Sequence, residues 1–139
     1  MNSFIETITS DKSALRERAF RSLCDGLDVA ALLRACDELE TFRKVSDNLY
    51  ERVRATLFLY AAHRFGLAEA NGIAETGAIP FAAVQDLHGR RFEEAIARFR
   101  AAQRSNGANG ALMSALAESY RKLAFQTLAD QVRRSVRAS

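Results

Sequence analysis

The chain's only imidazoles are His63 and His88, and its only thiols are Cys24 and Cys36. A metal centre needs three or four such ligands at matched spacing. Neither histidine has a carboxylate, a cysteine or another histidine three or four residues away, so no ligand pair shares a helical face. Each histidine reads as structural, placed near a helix end where it can donate to a carbonyl. Nucleophilic catalysis by cysteine would need a thiolate beside a base. Cys24 and Cys36 both fall on apolar helical positions and read as buried free thiols of a reducing compartment. The one carboxylate cluster, Asp37-Glu38-x-Glu40, spans too wide an arc of a helix to converge on one point. With Arg34, Arg43 and Lys44 nearby it reads as a solvated, salt-paired face. The run Asn106-Gly107-Ala108-Asn109-Gly110 lacks the lysine and the preceding strand of a phosphate-binding loop. These readings lead to the expectation of a chain without catalytic residues, metal or cofactor.

Arginine is the remaining chemistry-bearing type, with 17 of the 20 basic residues. Residues 1–70 carry ten basic against eleven acidic side chains, and residues 71–139 carry ten against six. The candidate partner-contact residues are therefore Arg90, Arg91 and Arg98 in one group and Arg133, Arg134 and Arg137 in another. Guanidinium groups make forked contacts to carboxylates and phosphates. Glu93 and Glu94 interrupt the first group, and no aromatics interleave on the polar face for base stacking. A nucleic-acid partner is thus the least favoured reading, and a protein or peptide partner the most favoured.

The elements that must position these residues are helices. Proline occurs once and glycine seven times in 139 residues, too few for a chain of many short β-turns. The spacing predicts an all-α fold of about six helices, either an antiparallel bundle or a short helical-repeat array. Helix one is expected over Asp11–Asp25, ended by Gly26. Helix two starts at the N-cap Asp28 and buries Val29, Leu32, Leu33, Cys36, Leu39 and Phe42. Asn48 and Glu51 have capping-box spacing for helix three. From Val53 to Phe65 helix three is apolar on most of its circumference, as the axis of the core would be. Phe81–His88 and Arg91–Arg104 follow. A last helix begins near Ala111, its face marked by Leu112, Leu116, Tyr120, Leu123, Leu128 and Val132. The expected organisation is one domain of 139 residues. It has a three-helix unit (1–65), a connecting segment (66–80) in which Ile73 and Ile79 pack down, and a C-terminal helical unit (81–139).

The stretch Gly89-Arg-Arg-Phe-Glu-Glu-Ala-Ile-Ala-Arg-Phe-Arg-Ala-Ala102 resembles the second helix of a tetratricopeptide repeat, with Phe92, Ala95, Phe99 and Ala102 on the matching positions. The run from Leu116 to Ala124 resembles the first helix of a following repeat, and Ala95 and Ala129 lie one repeat length apart. The degenerate resemblance spans residues 89–132. Gly89 falls one residue early, and Asp86 stands where an aromatic belongs. The run from Leu123 to Val136 is also similar to N-terminal helical regions of long bacterial proteins of unassigned function.

The expected function is a non-catalytic protein–protein interaction or scaffolding domain. Alternatives are an accessory N-terminal domain of a larger enzyme and a weak nucleic-acid binder. A homodimer is compatible with each. No apolar run approaches the ~20 residues of a membrane span. The N-terminus lacks the basic and apolar regions of a secretory signal. A cytoplasmic location is therefore expected.

Overall fold

The computed structural model describes residues 2–67 and 77–138, and among them every regular element is a helix. The elements are α1 (Ser3–Thr9), α2 (Ser13–Arg16), α3 (Phe20–Cys24), α4 (Val29–Val45), α5 (Leu49–Ala61), α6 (Phe81–His88), α7 (Phe92–Asn106) and α8 (Gly110–Ala138). A π-helical turn, Ala62–Gly66, extends α5. Six of these helices have seven residues or more. The expected packing of Ile73 lies outside the described residues, and Ile79, expected to pack down, is exposed.

The predicted N-caps of Asp28 and Asn48 form, but the reciprocal half of the capping box does not: the Glu51 carboxylate accepts from the Ser46 hydroxyl at 3.0 Å, and the Asn48 N–H donates to Ser46 Oγ. Asp28 accepts the Ala31 N–H at 2.8 Å and Asn48 accepts the Glu51 N–H at 3.0 Å, each satisfying a donor that the first helical turn leaves free. Asn109 does the same for Leu112, starting α8. Gly26 ends α3 with φ +81°, a left-handed conformation that glycine adopts without a Cβ clash.

The N-terminal region differs from expectation. α1 was not anticipated, and the predicted helix Asp11–Asp25 is two short helices separated by Glu17-Arg18-Ala19. The break is linked to packing. The extended Ala19 starts α3 anew, and the Phe20 ring stacks within 5.6 Å of Phe4 and 6.1 Å of Phe58. Asn2 caps α1 by accepting the Phe4 and Ile5 N–H groups, and Phe4 and Ile8 are fully buried.

Three-residue connections fold α5 back on α4, α7 on α6 and α8 on α7. α5 packs along α8, touches α4 and α1, and lies at the centre as expected. Its burial is not all-round, because Leu57 and Phe65 are exposed. In the π turn the Leu67 N–H donates to the Ala62 carbonyl at 2.7 Å. A Cβ on Gly66 would come within 2.9 Å of the Leu32 side chain, so glycine permits α4 to approach closely there.

α8 has 29 residues and is about 43 Å long at 1.5 Å per residue. Leu112, Leu116, Tyr120 and Leu123 are buried as predicted, whereas Leu128 and Val132 are exposed. The reason is phase. At 100° per residue, the positions in line with Leu116, Tyr120 and Leu123 are next occupied by Thr127, Gln131 and Arg134. From Phe125 to Arg137 no residue is buried, so the last turns of α8 project from the body.

Candidate functional site

Two regions gather chemistry-bearing side chains: a closed polar cluster in the core, and the projecting end of α8 with the groove beside it.

The cluster is built by α4, α7, α8 and the π turn. The Arg43 guanidinium is 4% exposed. It donates from Nε and Nη2 to the Glu40 carboxylate at 2.7 and 2.9 Å, and from Nη1 and Nη2 to Glu93 at 2.9 and 2.8 Å. The Tyr120 hydroxyl donates to Glu40 Oε1 at 2.8 Å, and the Tyr120 ring lies under the guanidinium at 5.6 Å. His63, on the π turn, sits 5.5 Å from the same ring and donates from Nδ1 to the Leu59 carbonyl at 2.7 Å. The donation to a carbonyl is the role expected of His63. The solvated face expected of the charged residues of α4 holds for Arg34, Asp37, Glu38 and Lys44, which are exposed, but not for Glu40 and Arg43, which are buried; Lys44 lies 3.9 Å from Glu40. The reason is again phase. Leu32, Cys36, Leu39 and Arg43 recur at steps of four, three and four, so Arg43 continues the buried stripe.

Burial opposes the charge on Arg43, but the two carboxylates outweigh it and hold its pKa above the usual value. The hydrogen bonds from Arg43 hold the Glu93 carboxyl below its ordinary range despite partial burial. Burial, and then the Glu40 charge, push the Tyr120 hydroxyl well up, so it stays a donor. Burial likewise pushes the Cys36 thiol up to about 12, far from nucleophilic, while Cys24 is half-buried. Arg43 is therefore spent on carboxylates and Tyr120 on Glu40. Such an arrangement holds helices in register. Among the described residues no three His, Cys, Asp or Glu side chains are placed to share a metal ion.

His63 supplies a pH test. Burial lowers its pKa to about 4, outweighing the opposing hydrogen bond to Leu59. Between the unfolded value near 6.5 and that folded value, the unfolded chain binds a proton that the folded chain refuses. Stability is therefore complete above the unfolded value and falls with pH across this window, by about 3 kcal/mol in all. Urea unfolding across the window should show this loss, and His63→Gln, which retains an N–H donor, should remove most of it. Equal slopes for both proteins would refute the assignment. Glu93 adds a loss of the same sign at the acid end, as its carboxylate is protonated.

The predicted arginines divide. Arg91 Nε lies 3.0 Å from Asp86 Oδ1 and Arg98 Nε lies 2.9 Å from Asp86 Oδ2, so one buried carboxylate draws both back onto the α6–α7 hairpin. Arg133 pairs with Asp130 on the same helix. Arg90, Arg134 and Arg137 are exposed and make no ion pair among the described residues. Arg90 is the one described residue other than glycine with a positive φ, +61°. His88 is exposed at the end of α6.

Arg90 lines a groove of about 530 Å³ between the α6–α7 turn and α8. Leu87 and Phe92 form one wall, and Arg121, Lys122, Phe125 and Ala129 the other. The groove leads onto the projecting turns, where Phe125, Leu128 and Val132 are 60%, 43% and 62% exposed on one helical face. The Arg121 guanidinium rests on the Phe125 ring, 5.8 Å from its centre. No helix among the described residues is long and apolar enough to cross a membrane. Comparison with protein-family models, curated proteins and solved structures finds no match.

Proposed function

We propose that this chain is a non-catalytic helical domain that acts by binding another protein, through the projecting turns of α8 and the groove beside them. The observation that carries the reading is the apolar stripe Phe125, Leu128 and Val132, which lies exposed on a helix that has left the body. Three large apolar side chains aligned on one exposed face form a patch that gains free energy when a partner covers it, at roughly 25 cal/mol per Å². The polar core supports the same reading, since Glu40, Arg43 and Tyr120 are engaged with one another. The repeat-like run from Gly89 to Ala102 forms the turn and helix flanking the groove, as in a domain that receives a peptide between helices. A nucleic-acid reading has less support, because carboxylates already hold Arg91, Arg98 and Arg133.

Photo-cross-linking in the cells that make the protein tests the proposal. A photoreactive residue replacing Leu128 should yield a discrete adduct with another polypeptide. The same residue replacing the exposed Ala30, on α4, should not. Absence of an adduct at 128, or the same adducts at both positions, would overturn it.

A further inference from the structure

The charged side chains that line the groove beside the apolar stripe are all basic: Arg90, Arg121 and Lys122. Farther along α8 come Arg133 and Arg137, while Arg134 continues the opposite face, in line with Leu116 and Leu123. The carboxylates among them are Glu118, which holds Arg121 and Lys122, and Asp130, which holds Arg133. The apolar positions 125, 128 and 132 are spaced by three and then four residues, the seam that one helix presents to another. From these observations we infer that the occupant of this surface is an acidic amphipathic helix of a partner protein. Its apolar residues, three or four apart, lie along Phe125, Leu128 and Val132, and its carboxylates face Arg90 first, with Arg121 and Lys122, which share the single carboxylate of Glu118, beside it. This deepens the binding reading above and rests on it.

Three alternatives fit less well. A second copy would bring further basic side chains to a groove whose charged lining is already all basic, and like charges brought together across an interface are repelled. An extended peptide adds to a sheet edge, and the described residues contain no strand. A lipid surface suits a basic amphipathic helix, but it is flat, whereas Leu87, Phe92 and Phe125 line a groove.

Arg90 strengthens the case. A left-handed backbone strains a residue with a Cβ, whereas glycine adopts it freely. That conformation nonetheless places Arg90 on the wall of the groove, directly after Gly89. Arg90→Gly therefore relieves backbone strain while deleting the charge. The variant is expected to be at least as stable as the parent, so a loss of binding cannot be blamed on unfolding.

The test uses the full chain and two labelled helical peptides of about four turns. Both have leucine at every seam position; one has glutamate and the other lysine at the flanking positions. Fluorescence anisotropy should show the glutamate peptide binding, with affinity falling as salt rises through about 0.15 M. Arg90→Gly and Leu128→Glu should each weaken it by about tenfold or more. The lysine peptide should not bind. Any one of four results overturns the inference: no binding of the glutamate peptide, equal binding of both peptides, indifference to the two substitutions, or occupation of the surface by a second copy in sedimentation or by phosphatidylserine vesicles. The binding reading fails separately. A Leu128 adduct with a partner whose contacting segment is not acidic preserves that reading and removes this one.

Discussion

Replacing Arg43 by methionine should lower the stability of this protein by about 3–5 kcal/mol, because it leaves the Glu40 carboxylate buried without its cation. Glu93 is half exposed and can turn to water, so the loss concentrates on Glu40, whose side chain is 8% exposed. A domain of ordinary stability has about 5–15 kcal/mol to lose, so the variant should unfold in markedly less urea. The second change that rescues it follows from the same geometry. Glu40→Gln removes the stranded charge, yet its amide oxygen still accepts the Tyr120 hydroxyl. The pair Arg43→Met with Glu40→Gln should recover most of the loss, a non-additivity that urea unfolding of the two singles and the double measures directly. A cost below about 1 kcal/mol for Arg43→Met would mean that water reaches this cluster.

Phe4→Ala should cost about 3 kcal/mol or more, as expected for a fully buried ring, and its effect should be local first. α1, α2 and α3 have seven, four and five residues, lengths at which an isolated helix does not persist in water. What holds them is the aromatic triad of Phe4, Phe20 and Phe58, with ring centres 5.6 to 6.1 Å apart. Without the Phe4 ring, the amides of residues 3–9 should exchange with solvent much faster than those of α5 and α8. Phe125→Ala is the contrasting case. That ring is as large but exposed, and its loss should change stability by no more than about 0.5 kcal/mol. Similar costs for the two substitutions would contradict this account of the N-terminal helices.

Much of the fold follows from local rules. Asp28 and Asn48 cap the helices assigned to them because an N-cap needs only the next three residues. Phe92, Ala95, Ile96 and Phe99 are buried because a steady 3.6-residue period points to one side whatever lies there. Where phase had to be followed across a charged residue, the reading failed. Arg43 sits on the stripe of Leu32, Cys36 and Leu39, but a charge there looks solvated until Glu93, 50 residues away, is brought to it. Leu128 and Val132 look like a continuation of the α8 core face until Thr127, Gln131 and Arg134 are seen to occupy it.

The arginines divide along the same line. Their number and their concentration in the C-terminal half are plain in the sequence, as is the lack of a recognisable catalytic or metal-binding motif. Which of them face a partner is a tertiary matter. The turn at Gly89-Arg90 folds Arg91 and Arg98 onto Asp86 and leaves Arg90 over the groove. Composition and periodicity therefore determined a helical chain with a basic second half, since both act through neighbours three and four residues apart. The buried ion cluster and the groove join side chains from helices far apart in the chain, and only the packing of α8 against α5 and α7 brings them together.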